Sequence, residues 1–319
     1  MRGNKNIAVV FPGQGSQRPG MGKDFYEQIP VCRQTFEEAA DALGWDVSAM
    51  CFGEDEKLNL TEYTQPCIVT TEICMLRGLA ERYSFVPDYF GGHSLGEFTA
   101  LVAAGVMPLA ETLKIVQTRG KLMQEAVPVG VGGMAAVISE NIDINILKRL
   151  MEGLPADVAN INSANQVVIS GELPAIDETE KRLEQNFSAE KTFRFIRLNV
   201  SAPFHSRLMK IIESHFADTL EKFGKNINPQ NAVNVTSNFT GSFHSDDILE
   251  IREKLVNQIS NTVHWRENMQ SIAAKAEEIY EVGPGRPLRD FFKTIGVACQ
   301  SITGLAAAEK NFSGSTKIV

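Results

Sequence analysis

The 319-residue sequence predicts an α/β fold: a parallel sheet of the α/β hydrolase-like kind, carrying an inserted ferredoxin-like (βαββαβ) small subdomain. Three observations predict it. A strand-like stretch ending Tyr89-Phe90-Gly91 turns without a loop into a helix-like stretch beginning at Leu95. Apolar runs of β type alternate with helical periodicity around that turn. Between residues 128 and 199 the rhythm changes to strand, helix, two strands, helix, strand.

The first strand is residues 7–11, an unbroken apolar run of β-type residues. After the turn, a helix over 98–104 stops at Gly105, and a second runs from about 110 to 127 behind Pro108. The insertion reads as strand 133–138, helix 144–151, two strands around Ser163-Ala164-Asn165, helix 176–187 and strand 193–200. The α/β pattern then resumes with a helix at Phe204, a strand near 233–235 and another at 279–282. The expected organisation is therefore a discontinuous large subdomain, 1–127 and 200–305, with the small subdomain 128–199 between its parts and a cleft where the two bodies meet. Residues 306–319 are small and polar and read as a loosely held tail. No internal repeat is found.

Composition narrows the functional classes. At 43% hydrophobic and 22% charged residues the chain can bury a sizeable core. No apolar stretch reaches membrane-span length, and the short polar lead before Ile7 predicts no signal peptide, so a cytoplasmic location is expected. Cys32, Cys51, Cys67, Cys74 and Cys299 show no metal-ligand spacing and are expected to be reduced thiols. A net charge of −8 argues against a nucleic-acid partner.

Ser94 lies in Gly92-His93-Ser94-Leu95-Gly96, a GxSxG nucleophile elbow. A serine on so sharp a turn is forced into a strained backbone, and glycines two residues to either side let neighbouring segments approach. The hydroxyl projects clear of the sheet, and the Leu95 amide, in the first turn of the helix, points at an oxyanion forming on an acyl group.

A serine hydroxyl needs a base, and His205 is the best placed of five histidines. It follows Ser201-Ala202-Pro203-Phe204, where Ser201 can cap a helix, putting the imidazole at a positive helix end that keeps it neutral. His215, His244 and His264 read as ordinary surface or core residues, and His93 as packing beside the nucleophile. Arg119, four residues after Ile115 and four before Met123, sits on the apolar stripe of its helix with no acid at the flanking positions. It needs a carboxylate, either from a distant part of the fold as a buried ion pair or from a substrate held bidentately. Gly120 beside it permits close approach of another element.

The loop Phe11-Pro12-Gly13-Gln14-Gly15-Ser16-Gln17 is not a dinucleotide loop, because Arg18 stands where the third glycine is needed. It can present the Gln14 amide towards the elbow as a second oxyanion donor.

Taken with the Arg119 segment, Asn160 to Asn162, Pro203-Phe204-His205 and Val282-Gly283-Pro284-Gly285, these motifs resemble the malonyl-CoA:acyl carrier protein transacylase family, which includes stand-alone acyltransferases serving polyketide synthases in trans. The resemblance runs from Phe11 to about Leu288. It implies that Ser94 is the acylated nucleophile, His205 its base, and Arg119 the holder of the malonyl carboxylate. It implies further that the amides of Gln14 and Leu95 form the oxyanion hole. Gln258 would orient the histidine through its backbone carbonyl, and Asn162 would line the cleft from the small subdomain. The implied reaction is a ping-pong transfer of malonyl from malonyl-CoA to the phosphopantetheine thiol of an acyl carrier protein, with no metal or redox cofactor, by a monomer. Phe204 would crowd a substituent on the acyl α-carbon. Tyr63 to Pro66, Gly132 to Ala136 and Ser201 to Met209 look closer to the trans-acting polyketide enzymes than to the housekeeping fatty-acid enzyme.

Arg286, Arg289 and Lys293 fall on one face of a short helix, a candidate docking face for an acidic carrier or simply a solvated basic face. A thioester hydrolase would use the same serine and histidine, but relatives of that kind tend to lack the arginine. An esterase triad would need an acid between serine and histidine, yet Asp143, Asp157 and Asp177 fall in the insertion.

Overall fold

The computed structural model describes residues 5–187 and 190–312. Ten strands are present among them: β1 Ile7–Phe11, β2 Tyr89–Gly92, β3 Gly132–Ile138, β4 Ala156–Ile161, β5 Gln166–Glu172, β6 Arg194–Arg197, β7 Thr236–Ser237, β8 Ser242–Phe243, β9 Glu278–Val282 and β10 Gln300–Ile302. Strands β10-β9-β1-β2 form one sheet in that order, every pair parallel, with Val9 opposite Phe90 and Ala8 opposite Ile279.

Both faces of this sheet are covered, which is why β1 reads as a continuous apolar run. Successive side chains point to opposite faces. Val9 and Phe11 join the main core, whereas Ala8 and Val10 join a second cluster with Trp265, Met269, Leu288 and Phe292. Residues 12–88, where no element is expected from the sequence, fold into four α-helices and a short 3-10 turn. The longest helix, Thr61–Tyr83, is buried on nearly every side along its first half and carries Gln65 inward.

The insertion forms its own antiparallel sheet, ordered β4-β5-β3-β6, the ferredoxin-like arrangement. One face packs under its helices Ile144–Leu150 and Leu173–Asn186 as a separate cluster, including Val137, Ile169 and Leu183. Alternate residues on the other face, Met134, Ala136 and Val168, enter the main core. Backbone hydrogen bonds from Ile161 to Val263 and from Val263 to Ala159, at 2.9 and 2.8 Å, fasten β4 to the large body. No described helix is long and apolar enough to cross a membrane. All five cysteines are buried and unpaired.

Three expectations are corrected. No helix starts at Phe204: His205 has φ 58°, a left-handed conformation a helix cannot contain, so 201–206 form tight turns. A 3-10 turn Arg207–Ile212 follows, and only then the helix Glu213–Phe223. The strand near 233–235 is mostly a 3-10 turn, Pro229–Asn234, with Val235 making a single bridge to Phe90. Finally, the stretch read as a tail from Ala306 is part of a helix, Leu305–Phe312, because Leu305, Ala308 and Phe312 share one buried stripe. Asp24 accepts the Leu305 amide at its start, and Phe312 stacks on Tyr83 and Tyr280. Residues 313–319 of that stretch lie outside the described residues.

Candidate active site

Parallel strands open their C-terminal ends to the same side, and the elbow stands there. Ser94 follows β2 with φ 51°, the strained left-handed backbone the motif requires. The helix Gly96–Ala103 follows it directly. The flanking glycines are demanded by contact: a Cβ at Gly92 would lie 2.1 Å from the Gly96 backbone, and one at Gly96 would lie 2.1 Å from the Phe11 carbonyl oxygen. Asn238, just beyond β7, braces the turn from the other side. Its Oδ1 accepts the Ser94 amide at 2.8 Å and its Nδ2 donates to the Gly92 carbonyl at 2.7 Å.

The structure brings His205 to the serine, with Nε2 2.8 Å from Ser94 Oγ. The other ring nitrogen, Nδ1, donates to the Gln258 carbonyl oxygen at 2.8 Å. That carbonyl is free for a simple reason. Gln258 caps the C-terminus of the helix Ile248–Asn257, where backbone oxygens have no intrahelical donor. With Nδ1 donating, Nε2 presents its lone pair to the serine hydroxyl.

Burial, and secondarily the positive charge of Arg119, push the His205 pKa down to about 3, against the opposing hydrogen bond to Gln258. The expected cause, a helix N-terminus, is therefore replaced: Ser201 caps nothing and instead donates to Gln124 Oε1 at 2.7 Å. A histidine with a depressed pKa is neutral above that value and protonates only below it. If His205 acts as the base, its titration sets no acid limb near pH 6.5, and serine acylation measured against pH should stay level from pH 8 to below 5. An acid limb at ordinary histidine pH that vanishes in no other variant would contradict this.

Arg119 projects from the helix Leu109–Glu125 into the same place and is 2% exposed. Its NH2 donates to Ser94 Oγ at 3.2 Å and to Gln258 Oε1 at 2.9 Å, and its NH1 donates to Gln65 Oε1 at 2.9 Å. The Phe98 ring lies 5.3 Å away under the guanidinium, a cation–π contact. Burial lowers its pKa to about 10, with Glu97 opposing, so the group stays cationic at neutral pH. No described carboxylate touches it, so of the two readings left open by the sequence the internal ion pair is not the one found. Gly120 is where the helix meets Thr61, whose carbonyl oxygen would lie 2.4 Å from an added Cβ.

The loop after β1 packs on the elbow: a Cβ at Gly13 would meet the His93 carbonyl oxygen at 2.5 Å. Among the described residues neither the Gln14 nor the Leu95 backbone N–H has a partner, which leaves both for an oxyanion. The exposed Gln14 side chain donates to Thr61 Oγ1. Asn162 is buried and reaches the elbow through His93: its Oδ1 is 2.8 Å from His93 Nε2, while its Nδ2 donates to Gln166. His93 is also edge-on to Trp265, so its packing role includes a polar tie between the subdomains. Phe204 is 9% exposed and belongs to the main core.

His205 opens onto a groove of about 1070 Å³ where the two subdomains meet, whose charged lining includes Lys148, Arg149, Asp157, Arg207 and Lys210. Arg207 is paired with Asp157 across it. Asp143 caps a helix and Asp177 pairs with Arg197, so none of the three insertion acids reaches His205. Arg286 and Lys293 are exposed, and Arg289 pairs with Asp290. Their helix, Pro287–Thr294, follows the Gly283–Gly285 turn, which packs on Pro12 and Ser16 beside Gln14.

Sequence reasoning did not find Gln65, Glu97 or Asn238. Gln65 lies inside a stretch already singled out, Tyr63 to Pro66, and Glu97 directly follows the elbow motif, and that position was the available signal. Asn238 had none.

Comparison with known proteins agrees with this geometry. Residues 8–284 match the family model described as "Acyl transferase domain". The chain is 39% identical over 297 residues to the malonyl CoA-acyl carrier protein transacylase of Escherichia coli K12, covering 91% of this chain and 92% of that one. It is similar to the crystal structure of the malonyl CoA-acyl carrier protein transacylase of Clostridium perfringens, with TM-score 0.89, 33% identity and coverage of 97% and 96%. It is also similar to a malonyl-transacylase solved in complex with its type II PKS acyl-carrier protein, with TM-score 0.88, 34% identity and coverage of 97% and 99%.

Proposed function

The chain belongs to the acyl transferase domain family, among the malonyl-CoA:acyl carrier protein transacylases, and from that premise we propose that it moves a malonyl group from malonyl-CoA to a carrier-protein thiol through an acyl-serine. The observation that carries the reading is the meeting of Ser94 Oγ with His205 Nε2 at 2.8 Å and with the Arg119 guanidinium at 3.2 Å.

Ser94 Oγ attacks the thioester carbonyl while Nε2 of His205 takes its proton. The tetrahedral oxyanion rests on the Gln14 and Leu95 amides. Its collapse breaks the C–S bond, and the imidazolium returns the proton to the departing coenzyme A sulfur. The carrier thiol then gives its proton to Nε2 and attacks the acyl-serine, restoring the hydroxyl. The helix end at Gln258, with its partial negative charge, stabilises the transient imidazolium in place of an acid. Arg119 holds the malonyl carboxylate, and that arriving charge offsets the Arg119 repulsion that adds to burial in keeping His205 deprotonated in the free protein. The reaction draws on no cofactor.

Intact-protein mass spectrometry after mixing with malonyl-CoA, then with a panel of carrier proteins, tests the reading. A malonyl adduct that passes to a carrier supports transfer; an adduct released as free acid would make the protein a hydrolase. Arg119→Ala should slow malonyl loading by ~10²-fold or more, the scale of a lost buried charge partner, while acetyl loading changes little. Equal loss with both acyl groups would remove the carboxylate assignment.

A fatty-acid carrier is the first expectation for the acceptor, since the E. coli relative is named for acyl carrier protein without further qualification. A polyketide carrier is the second reading, favoured by the three sequence stretches noted above and by the likeness to the type II complex. For docking, the face carrying Arg286, Arg289 and Lys293 borders the Gln14 loop at the site's rim. Arg289→Glu should lower the carrier-dependent rate and its salt sensitivity; if both stay as they were, the carrier lands elsewhere.

A further inference from the structure

Glu97 is fully buried behind the site; its backbone N–H donates to the Ser94 carbonyl at 3.3 Å, but its carboxylate bonds to none of Ser94, His205 and Arg119. Its Oε2 accepts from Gln258 Nε2 at 2.7 Å and from the Asn238 amide at 2.9 Å, and its Oε1 meets His244 Nε2 at 2.8 Å. A carboxylate only accepts, so Gln258 must turn its NH2 group to Glu97 and its Oε1 to Arg119. The second proton of that NH2 group goes to the Ser94 carbonyl at 3.0 Å. The guanidinium thus faces two neutral carboxamide oxygens, from Gln65 and Gln258, with the nearest acid one side chain further back.

This layering has a chemical consequence. A carboxylate directly on Arg119 would form a buried ion pair that an incoming acid would have to displace. A carboxamide oxygen satisfies the guanidinium while leaving its charge uncompensated. We propose that Glu97 is a positioning residue that fixes the orientation of the Gln258 carboxamide, so that Gln258 insulates Arg119 from Glu97 and keeps the guanidinium receptive to a carboxylated acyl group. The proposal rests on the transferase reading and deepens it, by making selection of the acyl group depend on a residue that never meets the substrate.

If the orientation is lost, the Gln258 NH2 can turn towards Arg119, donor against donor, and the guanidinium shifts. The His205 contact uses the Gln258 main-chain oxygen and should survive. The test is loading of Ser94 from malonyl-CoA and from acetyl-CoA, followed by mass, in the full chain. Glu97→Leu should lower kcat/KM for malonyl-CoA on the order of tenfold or more while leaving acetyl-CoA within about threefold, the loss expected for a disturbed charged hydrogen bond. Glu97→Gln should restore malonyl loading, because its oxygen can take the Gln258 and Asn238 donors while His244 changes tautomer to accept its NH2. Gln258→Met should lower malonyl loading at least as far as Glu97→Leu does, and combining the two should add little.

Equal losses for both acyl groups, no loss for either, or a Gln variant no better than Leu would overturn the proposal. Should the Leu variant fail to fold, Glu97→Asp carries the same comparison, its shortened carboxylate retracting from Nε2. Absence of any malonyl adduct on the unaltered protein would instead overturn the transferase reading, and so the two failures are separable.

Discussion

Exchanging Ser94 for alanine is expected to abolish the malonyl adduct and to lower the transfer rate by ~10⁴-fold or more, the scale seen when an acyl-enzyme nucleophile is removed. The substitution leaves His205 without its 2.8 Å partner, and Arg119 keeps its bonds to Gln65 and Gln258. Alanine can occupy the strained φ of 51° about as well as serine, and Asn238 still holds the turn through backbone groups. The protein should therefore melt close to the unaltered one, and the loss should be chemical. Incubation with malonyl-CoA and weighing of the intact protein reads it directly. A Ser94→Ala protein that gains malonyl mass at the original rate would move the acyl group to another residue and dissolve the mechanism.

Gly92→Ala should do the opposite, removing the fold before the chemistry. The new methyl would sit 2.1 Å from backbone carbon and oxygen of Gly96, atoms held by the helix and by Phe11, so the clash cannot be relieved by a side-chain rotation. Overpacking against fixed backbone where β2 meets the elbow helix is expected to cost above ~4 kcal/mol. That is a large share of a typical domain's stability. Gly15→Ala is the control: φ is 101° there, with open space around an added Cβ, so only backbone strain of about 1–3 kcal/mol is expected. Denaturant midpoints of the two variants check this. A Gly92→Ala protein as stable as Gly15→Ala would mean that the elbow is looser than the contacts imply.

The site was legible in sequence to the extent that its chemistry is local. Ser94, its glycines and the Leu95 amide come from five consecutive residues, so one turn carries the proposed nucleophile and oxyanion donor together. The βαββαβ order of the insertion was equally readable, because each element has its own hydrophobic period. Arg119 was visible as a cation on an apolar stripe, an anomaly that needs no partner to be noticed. His205 does lie beside Ser94, but the ground on which it was chosen does not hold. A helix start was expected to keep it neutral, whereas burial and Arg119 do so, and its left-handed backbone prevents a helix from starting there.

The amino-acid order by itself determined the α/β architecture with its inserted subdomain, the elbow and the family to which the chain belongs, because periodicity, turn chemistry and motif are written in neighbouring residues. Only the tertiary structure decided what surrounds the serine. The Gln258 carbonyl that the resemblance implied turns out to be a helix end, and Gln65, Asn238 and Glu97 arrive from three separate segments, joined by hydrogen bonds that span up to 164 residues of chain. Such bonds depend on where packed elements come to rest, and no local pattern encodes that.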